Sequence, residues 1–363
     1  MQTKKLANAL NMVGRFIHPR SPNERYRMVW LREWGGKTSV SASTPTGDIE
    51  VLVDGPAVLD VCVQYSTLAG LVRSFACEEV EIEDAPGVMK LETENSKLSI
   101  PSYDHAPPSI VVHDGGALYA ASSDAKRCSR SLRSLSDTSE LRYSHSQRLY
   151  TDEGVLRWVC SNRRAWGCSW CPSEGADLDV MIPNTSILAA SECLPAEACS
   201  FSVSGNSLSI VSGDVAMLLP TETQGVAHRP YDNTATVWQN ANKWEVSYSQ
   251  IKEFLAQVKV FSTEFATGIW LHPSAHGLIC RYTGRADGTY SPDLSVNGSC
   301  EYLVEGKCEG HPMYISSVLL SEAMAVASEE NFLMHATQQG LFITADNIAW
   351  GIGALHPPQE TGT

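Results

Sequence analysis

Apolar positions along this chain fall into two periods, and the alternation between them recurs. Thr3–Ile17 sets Leu6, Leu10, Val13 and Ile17 on one stripe at helical spacing, with Lys4, Lys5 and Arg15 off it. Pro19 and Pro22 close that helix. Tyr26–Trp34 and Thr38–Val53 read as strands around a Gly35-Gly36 turn. An extended apolar stretch then enters a short amphipathic segment, an acidic residue or two and a hairpin, over Val61–Thr93. The same order of signals returns at Val180–Val211 and at Met313–Ala345. The copies begin roughly 120 to 130 residues apart, longer than any common solenoid unit, which points to three similar globular domains.

The intervening segments fit that division. Leu98–Ile100 reads as a short closing strand, and Asp104–Pro108 as a boundary. A second helix is expected over Gly116–Leu135, with Ala121, Ala125, Cys128, Leu132 and Leu135 on one side and Arg127, Arg130 and Arg133 on a neighbouring face. Tyr143–Ser169 carries strands, and Pro220–Thr236 reads as a linker. Tyr248–Phe261 is a third helix, with Ile251, Phe254, Leu255, Val258 and Phe261 inward; strands follow at Gly268–Pro273, Gly277–Tyr282 and Ser299–Val304. The domains are thus placed at 1–105, 106–236 and 237–363. Each reads as helix, strands, helix, strands: an α+β layer of two helices on antiparallel sheet.

Charge complicates the picture. The 363 residues hold 27 Lys and Arg against 41 Asp and Glu, a net charge of −14, which argues against nucleic acid as a partner. The distribution argues the other way. Lys4, Lys5, Arg15 and Arg20 stand in an acid-free N-terminal stretch, and Lys126, Arg127, Arg130 and Arg133 form a second basic cluster. Acids gather elsewhere, at Glu78, Glu79, Glu81, Glu83 and Asp84. Eleven scattered cysteines, with no signal-peptide pattern, suit reduced thiols in a cytoplasmic protein. The sequence holds no apolar run of membrane-spanning length, so no membrane partner is expected.

Three such units, each opening on a helix, resemble the bacterial β sliding clamp, the processivity subunit of DNA polymerase III. Val260-Phe261-Ser262-Thr263-Glu264 followed by Gly268-Ile269-Trp270-Leu271 is similar to that family's aliphatic pair and Ser-x-Glu at the end of a helix. Cys300–Val304 with Gly310–Ala327 resembles another of its runs, and Trp158–Trp166 falls where clamps carry a strand and turn. The likeness rests on the order of many weak matches across nearly the whole chain.

The resemblance implies a head-to-tail homodimer closed into a ring around double-stranded DNA, loaded by a clamp loader and tethering DNA polymerase or repair proteins. It implies no cofactor, no metal and no catalysis. Phosphate contacts independent of sequence permit sliding, where reading of base edges would stop it. The expected DNA-facing residues are Lys4, Lys5, Arg15, Arg20, Arg73, Lys126, Arg127, Arg130, Arg133, Tyr143, Lys252 and Lys259. The subunit seam would pair Val260 and Phe261 of one chain with Leu98 and Ile100 of the other. A partner-peptide cleft would be lined by Val159, Ser161, Arg164, Trp166, Trp350, Ile352 and Leu355. Here the chain departs from the family: Asn162-Arg163-Arg164-Ala165-Trp166 and Gly351–Pro357 replace its usual stretches, and the N-terminus lacks its short first strand.

Two rival readings follow. A clamp-fold protein that no longer encircles DNA could sequester partners or compete for them. A thiol- or zinc-dependent enzyme could use Cys168-Ser-Trp-Cys171, which has redox or zinc spacing but no second cysteine pair nearby. Cys300, Cys308 and His311 are a weaker candidate ligand set, and Gly36-Lys37-Thr38 lacks the first glycine of a phosphate loop.

Overall fold

A computed structural model describes all residues except 56–58, 109, 111–116, 136–144, 163, 196, 223–240, 262–266, 284–298, 330 and 356–363. Tyr143, Arg163, Ser262–Glu264 and most of the expected linker lie outside the described residues.

The elements run α1 (Thr3–Val13), β1 (Met28–Trp34), β2 (Lys37–Thr44), β3 (Gly47–Val53), β4 (Asp60–Gln64), α2 (Tyr65–Ser74), β5 (Glu81–Ala85), β6 (Val88–Thr93) and β7 (Ser96–Pro101). Next come β8 (Leu118–Ala121), α3 (Ser122–Ser131), β9 (Ser146–Asp152), β10 (Val155–Ser161), β11 (Ala165–Pro172), β12 (Glu174–Gly175), β13 (Asp179–Pro183), α4 (Asn184–Cys193), β14 (Ala198–Ser204), β15 (Ser207–Ser212) and β16 (Val215–Pro220). The rest is β17 (Asn242–Val246), α5 (Tyr248–Phe261), β18 (Gly268–Ser274), β19 (Gly277–Thr283), β20 (Ser299–Lys307), β21 (Met313–Ser316), α6 (Ser317–Val326), β22 (Leu333–Ala336), β23 (Gly340–Ala345) and β24 (Ile348–Gly353).

The repeated pattern is therefore strand, helix and hairpin three times: β4–α2–β5–β6, β13–α4–β14–β15 and β21–α6–β22–β23. Each helix is short because its apolar face covers only a few sheet positions. Leu68, Ala69 and Val72 are buried on α2, Ile187 and Ala190 on α4, and Leu320, Ala323 and Met324 on α6.

The chain forms two compact units. The first comprises Met1–Arg130, Ser146–Arg157 and Cys171–Gly225. It holds an antiparallel sheet in the order β12-β8-β14-β15-β16-β3-β2-β1-β4 and a separate sheet β5-β6-β7. Pairing of β16 with β3 sets Met217 opposite Ile49, both fully buried, so one sheet joins strands far apart in sequence. The second unit comprises Ser131–His145, Trp158–Trp170 and Val226–Thr363. Its strands run β11-β24-β23-β22-β17-β20-β19-β18-β21, with α5 and α6 beside them.

Several expectations need correction. The helix expected over Gly116–Leu135 is strand β8, then α3, then a 3-10 turn at Arg133–Leu135. Leu118 and Ala120 are buried while Tyr119 and Ala121 are exposed, a period of two that pairs with β14. α1 stops at Val13, short of Ile17, where Gly14 takes the C-cap. A Cβ on Gly14 would come within 2.0 Å of the Tyr65 hydroxyl, so the helix end needs glycine to approach α2. A 3-10 turn at Glu24–Arg27 replaces the start of the expected first strand. The N-terminus also keeps a remnant of strand: Gln2 bridges Glu79, the Met1 ammonium donates to the Val80 carbonyl at 2.9 Å, and Thr3 N donates to Glu78.

Candidate nucleic-acid interface

The helices invert the charge of the chain. The six described α-helices carry eight Lys and Arg against four Asp and Glu, within a chain of net charge −14. Apolar stripes turn one face of each helix inward and leave the cations outside. On α1, Leu6, Ala9, Leu10 and Val13 are buried, while Lys4, Lys5 and the following Arg15 are exposed. On α5, Ile251, Phe254, Leu255 and Val258 are buried, with Lys252 and Lys259 exposed. Lys252 Nζ stands 5.1 Å over the Tyr248 ring. Arg20 and Arg133 are exposed outside the helices.

Not all these cations are equally available to a phosphate. Arg130 is bound bidentately by Glu192 of α4, at 2.7 and 2.5 Å. That pairing holds the Glu192 carboxyl below its usual range, with Lys126 and Arg15 adding to the effect. Arg15, just after α1, and Lys126 and Arg130 of α3 thus surround the Glu192 carboxylate of α4 and leave an excess of positive charge. Arg127 reaches Asp124 at 3.2 Å, Lys5 reaches Asp54 at 2.6 Å, and Arg73 donates to Asn11 at 2.9 Å. These are exposed pairs of modest strength. The opposite character appears in a hollow of about 650 Å³ lined by Glu78, Glu79, Glu81, Glu92, Glu94 and Cys77. Its five carboxylates repel phosphate and remove it from a nucleic-acid surface.

At the expected seam, Val260 is 78% exposed and Phe261 39%, so Phe261, expected inward, instead lies outside the buried stripe at the end of α5. Leu98 is half-buried and Ile100 buried, on β7 at one edge of its sheet. Ile100 faces Met89 across the β6–β7 pair, so its side chain belongs to the core while its strand keeps an open edge.

The expected cleft residues do not share one surface. Directly opposed residues in a sheet point to the same face, and neighbours along a strand to opposite faces. Trp166 opposes Gly351, which opposes Phe342; this row continues to His335 and exposed Lys243. Ala165 opposes Ile352, and Gly167 opposes Trp350, on the other face. Grouping Trp166 with Trp350 and Ile352 is therefore corrected by strand alternation. Trp166 crosses Gly351 toward Phe342, ring centroids 6.2 Å apart, and a Cβ on Gly351 would lie 2.1 Å from its Nε1. Arg164 is exposed at the turn, where Asn162 Oδ1 accepts from the Arg164 and Ala165 amides at 2.9 and 2.8 Å. Leu355 donates its amide to Tyr314 at 2.8 Å. The Trp166–Gly351 complementarity has no signature in the sequence, because nothing local links those positions.

The Cys168–Cys171 reading loses its geometry in the same way. Three residues apart on β11, the two thiols point to opposite faces, and both are buried. Cys171 instead shares a hydrogen bond with Cys128 of α3, which with burial raises its thiol. Burial pushes Cys62, Cys193 and Cys280 up to about 12. Among the described residues, no group of three or more His, Cys, Asp or Glu could hold a metal ion. No helix among them is long and apolar enough to cross a membrane.

No family model matches the sequence, and no curated protein matches it. Solved structures do. A sliding clamp of Pseudomonas aeruginosa bound to griselimycin is similar at 14% identity and TM-score 0.84, over 98% of both chains. The sliding clamp of Bacillus subtilis gives 13% and 0.83 over 98% of both. The DNA polymerase III beta subunit of Thermotoga maritima gives 12% and 0.83, again over 98% of both. The chain is an α+β protein of repeated strand–helix–hairpin units. Its fold is that of the DNA polymerase III β sliding clamps, carried by a strongly divergent sequence.

Proposed function

We propose that this chain is a non-enzymatic DNA sliding clamp: a head-to-tail homodimer of three-domain subunits that encircles duplex DNA. It would tether DNA polymerase or repair proteins after placement by a clamp loader, in the cytoplasm. The observation that carries this reading is the charge inversion. A chain with 41 acidic and 27 basic residues keeps a two-to-one basic excess on its described α-helices. Solubility alone gives no reason for that segregation, whereas phosphates facing those helices do.

Geometry would hold the DNA, so the contacts need only be loose and indifferent to sequence. Lys4, Arg15, Lys126, Arg127, Lys252 and Lys259 would supply most of them, with Arg130 partly neutralised by Glu192. Val260 and Phe261 would close the ring against the open edge of β7, since exposed apolar residues favour burial and a head-to-tail seam joins two different surfaces of the chain.

The test is salt-dependent DNA binding by a variant with Arg15→Glu, Lys126→Glu and Arg127→Glu. The slope of log affinity against log salt should fall by roughly 0.9 for each phosphate that the variant no longer neutralises. An unchanged slope would remove this surface from the interface and favour the alternative, a clamp-fold protein that sequesters partners without encircling DNA.

A further inference from the structure

Two joins between strands inside the chain follow one register. β16 lies antiparallel to β3, with Val215 opposite Val51 and Met217 opposite Ile49. β24 lies antiparallel to β11, with Ile348 opposite Ser169 and Trp350 opposite Gly167. In each join the added strand leaves a two-residue turn, closed by Ser212 and Val215 or by Ala345 and Ile348. The receiving strand opens at Gly47 or Ala165, equally far before Val51 and Ser169. The hydrogen bonds agree: Leu52 N donates to the Asp214 carbonyl at 2.9 Å, and Trp170 N to the Asn347 carbonyl at 3.1 Å. Both joins are sealed, for Ile49, Met217 and Trp350 are 0% exposed and Gly167 is buried.

A third pair of such strands stands unjoined. β7 leaves the same kind of turn, closed by Thr93 and Ser96, and its outer edge is open. β20 corresponds to β3. Each pairs with the second strand of a hairpin, closed at Trp34–Lys37 or Ser274–Gly277, and the next pairs are Thr38–Val53 and Leu278–Val304. β19 holds one side of β20; among the described residues, no strand pairs with the other side over Ser299–Val304. The common register sets Ser96 opposite Tyr302, Lys97 opposite Glu301 and Leu98 opposite Cys300. Leu98 then takes the place of Met217 and Trp350, and Cys300 that of Ile49 and Gly167. Both are only half-buried here, where the sealed joins leave nothing exposed. Lys97 and Glu301 are exposed and of opposite charge. Cys300 Sγ donates to Gln257 Oε1 of α5 at 3.1 Å, which sets this edge beside the helix end that leaves Val260 exposed.

We propose that β7 of one copy adds to β20 of a second copy as an antiparallel strand in this register. Leu98 then faces Cys300 of the partner subunit, and Lys97 faces Glu301 of the partner subunit. The inference rests on the homodimer reading and supplies the strand that receives β7. Pairing satisfies the open N–H and C=O groups of both edges, and the inward apolar position fixes the register. Like Met217 and Ile49, Leu98 and the partner's Cys300 form a non-hydrogen-bonded pair, with Cα atoms about 4.5 Å apart. That separation suits a disulfide.

The probe is Leu98→Cys in the full chain, oxidised with diamide, which takes two electrons and two protons from the facing thiols as their sulfurs bond. Non-reducing electrophoresis should show a covalent dimer that is absent from wild type and from Leu98→Cys with Cys300→Ser. Lys97→Cys, directed to the other face of the sheet, should crosslink far less. Circular dichroism identifies folded variants. A second measurement leaves the core untouched: Lys97→Glu should weaken dimerisation by up to about fivefold, and adding Glu301→Lys should recover most of the loss. If the protein sediments as a dimer but a folded Leu98→Cys gives no crosslink through Cys300, or the charge swap gives no recovery, the register is overturned and the homodimer stands. A monomer in sedimentation removes the homodimer reading and this inference together.

Discussion

Arg130 and Lys126 lie one helical turn apart on α3, and their surroundings give them different roles. Arg130 is held by both oxygens of Glu192, whereas Lys126 only adds to the field that depresses that carboxyl. Removing the acid should therefore free a cation. Glu192→Gln should tighten DNA binding several-fold at low salt, by about 1 kcal/mol or less, while Arg130→Ala should leave it nearly unchanged; a filter-binding titration separates the two. Because the Glu192 carboxyl is lowered in the folded protein, its pairing is fully present above the ordinary carboxylate range. It is lost as pH falls through the depressed value. The Glu192→Gln gain should accordingly vanish in acid. A gain that persists there would show that the acid does not restrain Arg130. The sequence makes the cations visible but not their partners, since Arg130 and Glu192 stand on different helices. The same holds for Gly351, whose lack of a side chain is needed by Trp166 on the facing strand. Gly351→Ala should cost about 1 to 3 kcal/mol in denaturant titration, the usual range for overpacking; an unchanged midpoint would mean that the indole has another place to go.

At the scale of elements, strong periodicity is legible in the sequence. Tyr248–Phe261 is a helix at both of its expected ends, because its apolar stripe is long and its flanks polar. Leu118–Ala121 reads as helix and is not, since a strand with buried Leu118 and Ala120 running straight into α3 continues an apolar pattern that four residues cannot assign. The proposed seam would use the exposed end of α5. Val260→Glu with Phe261→Glu should give monomers in sedimentation without loss of fold, as Val260 is 78% exposed; an intact dimer would displace the seam. The cysteines make an independent check on packing. Most are buried on strands and helices, with Cys77 and Cys300 only half-buried. Iodoacetamide at neutral pH should label Cys77 first, while Cys62, Cys193 and Cys280, pushed up to about 12 by burial, stay unmodified until unfolding. Early labelling of those three would contradict the described cores.

At the scale of the molecule, the threefold recurrence of strand, helix and hairpin carries the fold from the sequence alone. What it cannot carry is the packing between β11 and β24, because that depends on side chains meeting across the two strands. The central claim is that topology keeps DNA captive. Crosslinked protein assembled on circular duplex DNA and passed through gel filtration in high salt tests it most directly. The account predicts that protein co-elutes with closed circles and is released once a nuclease linearises them. Release from intact circles at high salt, or equal retention on linear DNA, would contradict it.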